Sequence, residues 1–210
     1  ERPVLLAGGG LRGQEGRRLV TAFAEKNDIP VVHTMASLST LPHDHPLNRG
    51  MIGVYGHREA NWTVANSDFL LSVGSRLDSR QTGTAPWLFA REAKKIVVEI
   101  DPGELAYSRV EPNAKVLADG PAFIAGLTKA TSSNSRPWWN GKTAEWKRVF
   151  SALTAEHEFG NQQGLSPYTF CRSLGKHMKK GDVVALDTGQ NLIWGTQSIP
   201  LDQSQFAFTA

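Results

Sequence analysis

An apolar run that breaks at a glycine constrains the fold of this chain more than any other stretch of it. Phe69–Val73 are consecutive apolar or small residues, a pattern typical of a strand that is covered on both faces. Gly74 ends the run, and Arg76, Asp78 and Arg80 then alternate through a polar segment. Ligands bind beyond the carboxyl ends of parallel strands, so this glycine and the two guanidinium groups favour a phosphate or carboxylate partner. A solvated loop with an Arg–Asp pair explains the pattern equally well.

Composition narrows the class of protein. Of the 210 residues, 40% are hydrophobic and 20% are charged, and no apolar run is long enough to span a bilayer, so we expect no membrane partner. The net charge of +3 is spread along the chain without a cluster of Lys and Arg among aromatic residues, which gives no support to nucleic-acid binding. The single cysteine, Cys171, excludes an internal disulfide and indicates a reducing, cytoplasmic environment.

Short apolar runs alternate with helical periodicities through the first 131 residues. Five segments are predicted to be strands: Pro3–Ala7, Pro30–His33, Asp68–Val73, Lys95–Ile100 and Ala114–Ala118. Four segments are predicted to be helices: Gln14–Asn27, Arg58–Asn66, Pro86–Ala93 and Pro121–Thr131. The Pro-, His- and Gly-rich residues 34–56 are predicted to be a loop. This alternation predicts an α/β fold built on a doubly wound parallel sheet.

Three regions are predicted along the chain. Residues 1–131 form a first domain, residues 132–164 form a linker that carries a helix, and residues 165–210 begin a second α/β unit. Because the chain opens on a strand without a start methionine, we expect an upstream portion, and we expect the second unit to be incomplete. The elements predicted in the last two regions are a helix at Lys142–Glu156, a helix that begins at Pro167 behind the cap Ser166, and strands at Asp182–Leu186 and Gln205–Thr209.

Two glycine-containing turns are candidates for anion binding. Gly8–Gly13 has the G-x-G-x-x-G spacing of a dinucleotide fingerprint, but the acid twenty residues on, Asp28, stands before the second strand and not at its end. A tight turn is the alternative. Asp187–Asn191 lies between a predicted strand and a predicted helix, where backbone N–H groups can hold a phosphate. A plain strand-to-helix turn explains that segment equally well.

Two other clusters have simpler explanations. The sequence His43-Asp44-His45 lacks the second ligand pair that zinc sites have, so we interpret it as an exposed turn and predict no metal site. Trp138 and Trp139 stand beside the predicted linker. We expect these two indoles to pack the linker against a neighbouring domain.

Several segments together resemble the central domain of thiamine-diphosphate enzymes, and within that family the acetohydroxyacid (acetolactate) synthase large subunit. The likeness runs from Pro3 to about Thr131 and resumes in residues 181–210, which resemble the opening of the family's diphosphate-binding domain. The segments that carry it are Pro30–Thr34, Asp44–Gly56, Ala60-Asn61, Asp68–Gly83 and Ile100-Asp101-Pro102.

The resemblance implies a six-stranded parallel sheet, bound FAD in a largely structural role, and thiamine diphosphate with Mg²⁺. It also implies decarboxylation of a small 2-oxo acid with transfer of the acyl unit, in a homodimer or homotetramer. The family's pyrimidine-binding domain would precede residue 1 and its Gly-Asp-Gly magnesium motif would follow residue 210. The resemblance therefore places no catalytic residue and no metal ligand within this chain.

Carried over position by position, the family's cofactor contacts fall on loops after the predicted strands. Arg76 would meet the FAD diphosphate, and Glu99 would accept a ribose hydroxyl. The synthases usually have histidine at the positions of Tyr55 and Asn191, and aspartate at that of Glu99. The implied FAD contacts are Gly9, Thr34, Met35, Ile52, Gly53, Val54, Tyr55, Gly74, Ser75, Arg76, Leu77, Asp78, Glu99, Ile100 and Asp119, and the implied thiamine diphosphate contacts are Gly189, Gln190 and Asn191.

Two alternative functions stay open from the sequence. One is another thiamine-diphosphate decarboxylase, lyase or C–C hydrolase whose central domain binds ADP or no nucleotide. The other is a nucleotide-binding module without catalysis of its own.

Overall fold

The computed structural model describes residues 1–150 and 164–209, and it contains one large sheet and one small sheet. The large sheet has six strands, all parallel, in the order β3-β2-β1-β4-β5-β6. This arrangement confirms the predicted doubly wound α/β fold. The strands are β1 (Pro3–Ala7), β2 (Val31–His33), β3 (Asn48–Met51), β4 (Phe69–Val73), β5 (Lys94–Glu99) and β6 (Ala114–Leu117), and the small parallel sheet pairs β7 (Val183–Leu186) with β8 (Phe206–Thr209).

Helices connect these strands and cover both faces of the large sheet. The α-helices are α1 (Gln14–Asn27), α2 (Arg58–Ala65), α3 (Ser79–Thr82), α4 (Pro102–Ala106), α5 (Gly120–Ala130), α6 (Pro137–Val149), α7 (Pro167–His177) and α8 (Gln190–Ser198). Short 3-10 helices lie at Gly9–Leu11, Met35–Ser37 and Pro86–Leu88. Among the described helices, none combines the length and apolar character that crossing a bilayer requires.

The central strands are apolar throughout because both of their faces are buried. In β1, Val4 and Leu6 belong to a core cluster on one face, which α2 and α6 cover, while Leu5 and Ala7 belong to the cluster on the other face, which α1 and α5 cover. A strand that alternated polar and apolar residues would leave one of these helix layers without a core to pack on. The apolar run that opened the sequence analysis, now β4, lies next to β1 in the same buried position.

Strand β3 corrects the predicted loop at residues 34–56. Its sequence, Asn48-Arg49-Gly50-Met51, has no apolar alternation, and β3 is an edge strand that pairs only with β2. An edge strand needs fewer apolar residues, which explains why its sequence did not predict it. The five strands predicted from periodicity therefore become six, the number implied by the family resemblance.

Two helix predictions were also wrong in their bounds. The helix predicted at Pro86–Ala93 is only the 3-10 turn Pro86–Leu88, since Ala90 has a positive φ of 46° that ends helical geometry. The linker helix begins at Pro137 and not at Lys142, because Pro fits the first turn of a helix. Its predicted end at Glu156 lies outside the described residues.

The start of α6 also corrects the expectation for the tryptophans. Trp139 is buried in the core of the large sheet, where its indole N–H donates to the carbonyl oxygen of Pro3 at 2.9 Å. Trp146 contacts the Trp139 ring edge-on, with centroids 5.8 Å apart, and only Trp138 of this group stays exposed. The segment after residue 131 thus packs on this sheet itself, while the predicted domain boundaries remain a prediction.

The segment from residue 164 onward packs against the same body through polar contacts. Arg17 of α1 donates from Nη1 to the carbonyl oxygens of Gln203 and Gln205, at 2.8 and 3.0 Å. The same guanidinium lies 4.8 Å from the ring centroid of Phe206. Cys171 is buried in the cluster that joins α7 to Ile199 and Leu201.

The loops after β1 and β4 contact each other through their backbones, at the point where the strand order crosses from one side of β1 to the other. From β1 the chain proceeds outward through β2 and β3, then returns to β4 on the other side of β1. The Gly8 N–H donates to Val73 at 2.9 Å, and the Gly10 N–H donates to Gly74 at 3.0 Å. An added Cβ would lie 2.1 Å from the Gly74 carbonyl oxygen at Gly8 and 3.0 Å from the Gly74 Cα at Gly10, so these two glycines of the G-x-G-x-x-G pattern serve loop-to-loop packing here.

We expect Gly8→Ala to destabilise the protein by about 2–3 kcal/mol, because the added Cβ would lie 2.1 Å from the Gly74 carbonyl oxygen, and backbone cannot move aside cheaply. Gly13→Ala is the matched control, since no atom lies within 4 Å of its added Cβ, and we expect a change below about 1 kcal/mol. Urea unfolding measures both, and equal stabilities of the two variants would contradict the packing described here.

Candidate cofactor site

The carboxyl ends of the six parallel strands bring the predicted FAD contacts to one edge of the sheet. Each predicted residue lies at a strand end or in the loop that follows: Gly9 after β1, Thr34 and Met35 after β2, Ile52, Gly53, Val54 and Tyr55 after β3, Gly74, Ser75, Arg76, Leu77 and Asp78 after β4, Glu99 and Ile100 at the end of β5, and Asp119 after β6. The turn at β1 and β4 lies at the centre of this edge, where the strand order reverses. Open α/β sheets bind their ligands at that position.

The loop after β4 places one cation toward solvent. Arg76 is exposed over 65% of its side chain, and its only ion pair in the described part of the chain is a loose contact of 3.5 Å from Nη1 to Glu104 Oε1. Leu77, by contrast, is buried and has a φ of 51°, which is uncommon for a residue with a side chain. The buried Leu77 therefore anchors the loop and leaves the Arg76 guanidinium available to a ligand.

Asp78 corrects the idea of an extended, alternating Arg–Asp–Arg segment. Its carboxylate Oδ1 accepts the N–H groups of Arg80 and Gln81, at 2.8 and 3.3 Å, and caps the short helix α3. The first N–H groups of a helix need an acceptor, which Asp78 supplies, and the extended segment ends where this helix begins. Arg76 and Arg80 consequently belong to different local structures, and their alternation along one side does not occur.

A side chain from α2 holds the loop after β3. Asn61 accepts the Gly53 N–H with Oδ1 and donates from Nδ2 to the Gly53 carbonyl oxygen, both at 2.9 Å. Gly53 has a φ of 110°, and an added Cβ would lie 2.4 Å from the Arg80 carbonyl oxygen. The Val54 N–H also donates to this oxygen, at 2.8 Å, so the loops after β3 and β4 are joined through their backbones.

The carboxylates at the ends of β5 and β6 are engaged with their own loops. Glu99 is buried, and its Oε1 accepts the Ile100 N–H at 2.9 Å and the Asp101 N–H at 3.4 Å. Asp119 caps α5 through the Ala122 N–H at 2.9 Å. The side chain of Ile100, meanwhile, is 64% exposed beside them.

The loop after β2 is fixed by hydroxyl groups. Ser37 Oγ donates to the Ala7 carbonyl oxygen at 2.7 Å, and it accepts the Thr34 N–H at 3.2 Å. The buried Thr34 therefore turns its polar groups toward its own loop, whereas Met35 begins the 3-10 helix. Ser37 and Asn61 are positioning residues to which the sequence analysis gave no role: Asn61 belongs to a segment that carries the family resemblance, and Ser37 is a polar residue without a motif.

The predicted thiamine diphosphate contacts lie apart from the Tyr55 loop. Gly189, with a φ of 127°, precedes α8, and Gln190 and Asn191 form the exposed first turn of that helix. Only the opposite end of α8 meets the loop after β3, where Gln197 Nε2 donates to the Tyr55 carbonyl oxygen at 2.7 Å. At 1.5 Å of helix rise per residue, the two ends are about 10 Å apart.

His57 ties the same end of α8 to the large sheet. Its Nδ1 accepts the Met51 N–H at 2.9 Å, so Nε2 carries the proton and donates to the Gln197 carbonyl oxygen at 2.9 Å. Burial lowers the pKa of His57, and the neutral ring matches this pair of contacts. His57 is therefore a structural residue that joins the loop after β3 to the helix bearing Gln190.

The sequence of this chain is similar to those of known proteins. Residues 1–127 match the family described as thiamine pyrophosphate enzyme, central domain. The chain belongs to this thiamine pyrophosphate enzyme family. It is 30% identical over 203 residues to the acetolactate synthase isozyme 1 large subunit of Escherichia coli K12, with 97% of this chain and 35% of that protein covered.

Two other relatives of this chain are also described as acetolactate synthases. The acetolactate synthase large subunit of Corynebacterium glutamicum is 30% identical over 207 residues, which cover 97% of this chain and 32% of that protein. The chloroplastic acetolactate synthase 1 of Oryza sativa is 33% identical over 205 residues, which cover 93% of this chain and 30% of that protein. The chain thus spans about a third of the length of the curated relatives it matches.

The donor set at the edge fits a dinucleotide that has an anionic diphosphate and apolar rings. Val54 and Ile100 expose 68% and 64% of their surfaces there, and Arg76 supplies a weakly paired guanidinium. A metal site is not evident: among residues 1–150 and 164–209, no group of three or more His, Cys, Asp or Glu side chains is placed to hold an ion. His45 of the His-Asp-His turn instead contacts Glu25 through Nε2, at 3.2 Å.

We expect Asn61→Ala to loosen the loop after β3, because both hydrogen bonds that hold Gly53 disappear, at about 0.5–1.5 kcal/mol each. Hydrogen-exchange mass spectrometry should show faster exchange in residues 52–56 and unchanged exchange in β1. Asn61→Asp keeps the acceptor for the Gly53 N–H and should have an intermediate effect. Unchanged exchange in residues 52–56 of the alanine variant would show that the amide does not hold this loop.

Proposed function

We propose that this chain is part of a thiamine-diphosphate-dependent carboligase similar to acetolactate synthase, which decarboxylates a 2-oxo acid and transfers the acyl unit. The observation that carries the proposal is the alignment of 97% of the chain, at 30% identity, with an acetolactate synthase large subunit. It extends past the central domain at residue 127 and so includes the segment that carries Gly189.

FAD in the central domain is the second part of the proposal. It is supported by a carboxyl edge whose acidic groups, Asp78, Glu99 and Asp119, are already satisfied by backbone N–H groups. The groups left available are the Arg76 cation and the apolar side chains of Val54 and Ile100. A cation suits a diphosphate, and apolar side chains suit the faces of flat rings.

Thiamine diphosphate, held with Mg²⁺, would supply the nucleophilic carbon and the electron sink that decarboxylation of a 2-oxo acid requires. The part assigned to this chain is a binding role. The N-terminus of α8 presents Gln190 and Asn191 with the partial positive charge of a helix start, which favours a diphosphate oxygen. His57 and Gln197 hold the other end of α8 against the sheet and so fix its direction.

One observation favours a second candidate within the family. The carboxylate expected to accept a ribose hydroxyl, Glu99, has one oxygen committed to the Ile100 N–H at 2.9 Å. FAD and ADP share this ribose, so the engagement does not separate them, but it agrees with a central domain that holds no nucleotide. The second candidate is a thiamine-diphosphate decarboxylase, lyase or C–C hydrolase whose central domain takes ADP or stays without a nucleotide.

The assembly and location of the whole protein are also proposals. A homodimer or homotetramer is proposed from the family resemblance, supported by the exposed Trp138 and Trp62 on α6 and α2. A cytoplasmic location is supported by an unpaired Cys171. Light scattering of the full-length protein tests the assembly, and an active monomer would contradict it.

We expect Arg76→Ala to weaken FAD binding by roughly ten- to hundredfold, because a charge-assisted contact to the diphosphate contributes about 1.5–3 kcal/mol. Fluorescence titration of the full-length apoprotein with FAD measures the affinity. Arg91→Ala is the control, since Arg91 is equally exposed but precedes β5 at the opposite edge of the sheet, where it pairs with Glu92 at 3.5 Å.

Three outcomes distinguish the candidates. Loss of FAD affinity in the Arg76 variant alone supports the proposed function. Binding of ADP in place of FAD, with the same dependence on Arg76, supports the second candidate. Equal FAD affinity of the wild type and the Arg76 variant would contradict the assigned diphosphate contact.

A further inference from the structure

A polar cavity lies between the edge strand β3 and the segment from residue 164 onward, and none of the residues assigned to FAD lines it. Its volume is about 110 Å³. At about 30 Å³ per water molecule in the liquid, this is room for roughly four waters, or for one anion of four or five non-hydrogen atoms. The walls come from both sides: His33, His43, Asn48, Glu59 and Lys147 on one, and Arg172, Thr196, Gln197 and Ser198 on the other.

The cavity has unsatisfied polar atoms. Glu59 Oε2 and Ser198 Oγ are both buried and have no hydrogen-bond partner in the described residues, although their side chains are only 4% and 3% exposed. Buried polar atoms in folded proteins nearly always have a partner, so two such atoms lining one cavity indicate a missing occupant. Glu59 comes from α2 and Ser198 from the end of α8, so the occupant would touch both.

The same cavity has cations without a carboxylate partner. Lys147 Nζ donates to the carbonyl oxygens of His43 and Asn48, each at 2.9 Å, and no carboxylate of the described chain lies within 4 Å of it. Arg172 also lines the cavity and makes no ion pair with any described residue. The two cations approach the cavity from α6 and α7. An ammonium ion and a guanidinium that line one cavity favour an anion over neutral water.

From this cavity we infer a second ligand site: Lys147, Arg172, Ser198 and the protonated carboxyl of Glu59 bind one small oxyanion, either a short carboxylate or inorganic phosphate. Each of these four groups can donate a hydrogen bond to an anion oxygen. An adjoining cavity of about 320 Å³ shares His57, Glu59 and Gln197 with this one. The site is independent of the proposed function, since it involves none of the FAD or thiamine diphosphate contacts.

The protonation states around the cavity agree with this role. Burial raises the pKa of Glu59 to about 7, while nearby Lys147 and Arg58 lower it. Burial lowers the pKa of Lys147 to about 8, so its ammonium form prevails at neutral pH. His33 and His43 have pKa values lowered by burial to about 3 and 4, and they stay neutral throughout.

The ionisation of these groups determines how the affinity for the anion changes with pH. Between pH 8 and pH 6, Glu59 takes up a proton and becomes a donor, and the Lys147 ammonium becomes fully populated. Both changes favour an anion, so affinity should rise about tenfold over this interval, the factor expected when a required proton titrates near pH 7. Arg172 keeps its charge, and the neutral His57 is held by its two backbone contacts.

Isothermal titration calorimetry of the full-length protein with sodium phosphate and, separately, sodium acetate tests the site, at constant ionic strength. We expect at least one of the two anions to bind. Acetate stays ionised across this interval, so its binding should be about tenfold tighter at pH 6 than at pH 8, whereas phosphate is compared between anions at a single pH. Phosphate alone would identify a tetrahedral oxyanion, and acetate alone a carboxylate. Binding of neither anion at concentrations up to about 50 mM would overturn the proposal.

Three variants locate the binding. Arg172→Leu removes a cation that has no ion pair among residues 1–150 and 164–209, and it should weaken binding by tenfold or more. Glu59→Gln presents an N–H donor at every pH, so its affinity should match that of the wild type at pH 6 and lose most of the pH dependence. Lys142→Met, on the outer face of α6 where Lys142 pairs with Glu145 at 2.9 Å, is the control for loss of charge. Wild-type affinity in Arg172→Leu, or an unaltered pH profile in Glu59→Gln, would overturn the assignment.

Discussion

The close approach of the backbones at Gly8, Gly10 and Gly74 is the constraint on which the rest of the structure depends. An added Cβ at Gly8 would lie 2.1 Å from the Gly74 carbonyl oxygen, a distance that no side chain can occupy. Because these loops touch, β1 and β4 are adjacent at the point where the strand order reverses. That adjacency buries both strands on both faces and leaves the carboxyl edge as the place where all six loops converge.

The acidic and basic side chains at that edge differ in how firmly their local contacts hold them. Asp78, Asp101 and Asp119 each cap a helix through backbone N–H groups, and Glu99 binds the N–H groups of its own turn. The negative charges are therefore committed to local structure, while the Arg76 guanidinium is held only loosely by Glu104 at 3.5 Å. An anionic ligand meets little competition at such a site. The same logic explains why removing a cap would disturb a loop, whereas removing Arg76 would disturb only binding.

The sequence predicted correctly those elements whose pattern lies within consecutive residues. β1 and α1 have the predicted bounds, because a buried strand and an amphipathic helix each show a characteristic pattern of apolar residues along the sequence. The polar edge strand β3 carries no such periodicity and was predicted as a loop. Tertiary packing placed Trp139 in the core beneath Pro3, which lies 136 residues earlier in the chain.

The candidate sites show the same limit. Most residues of the carboxyl edge followed from the ends of recognisable apolar runs, whereas residues 52–55, after the polar strand β3, followed from the family resemblance alone. The Asn61 contact to Gly53 and the cavity between Glu59 and Lys147 depend on residues far apart or without a motif. Such pairs become visible only when the fold brings α2 and α6 together on one face of the sheet.

The central claim is that the carboxyl edge of this thiamine pyrophosphate enzyme family domain holds FAD. Denaturing the purified full-length protein, after folding in the presence of FAD, and identifying the released nucleotide by chromatography and absorbance tests it most directly. The account predicts flavin released as intact FAD, in an amount approaching one molecule per chain. Release of ADP alone, or of no nucleotide, would contradict it.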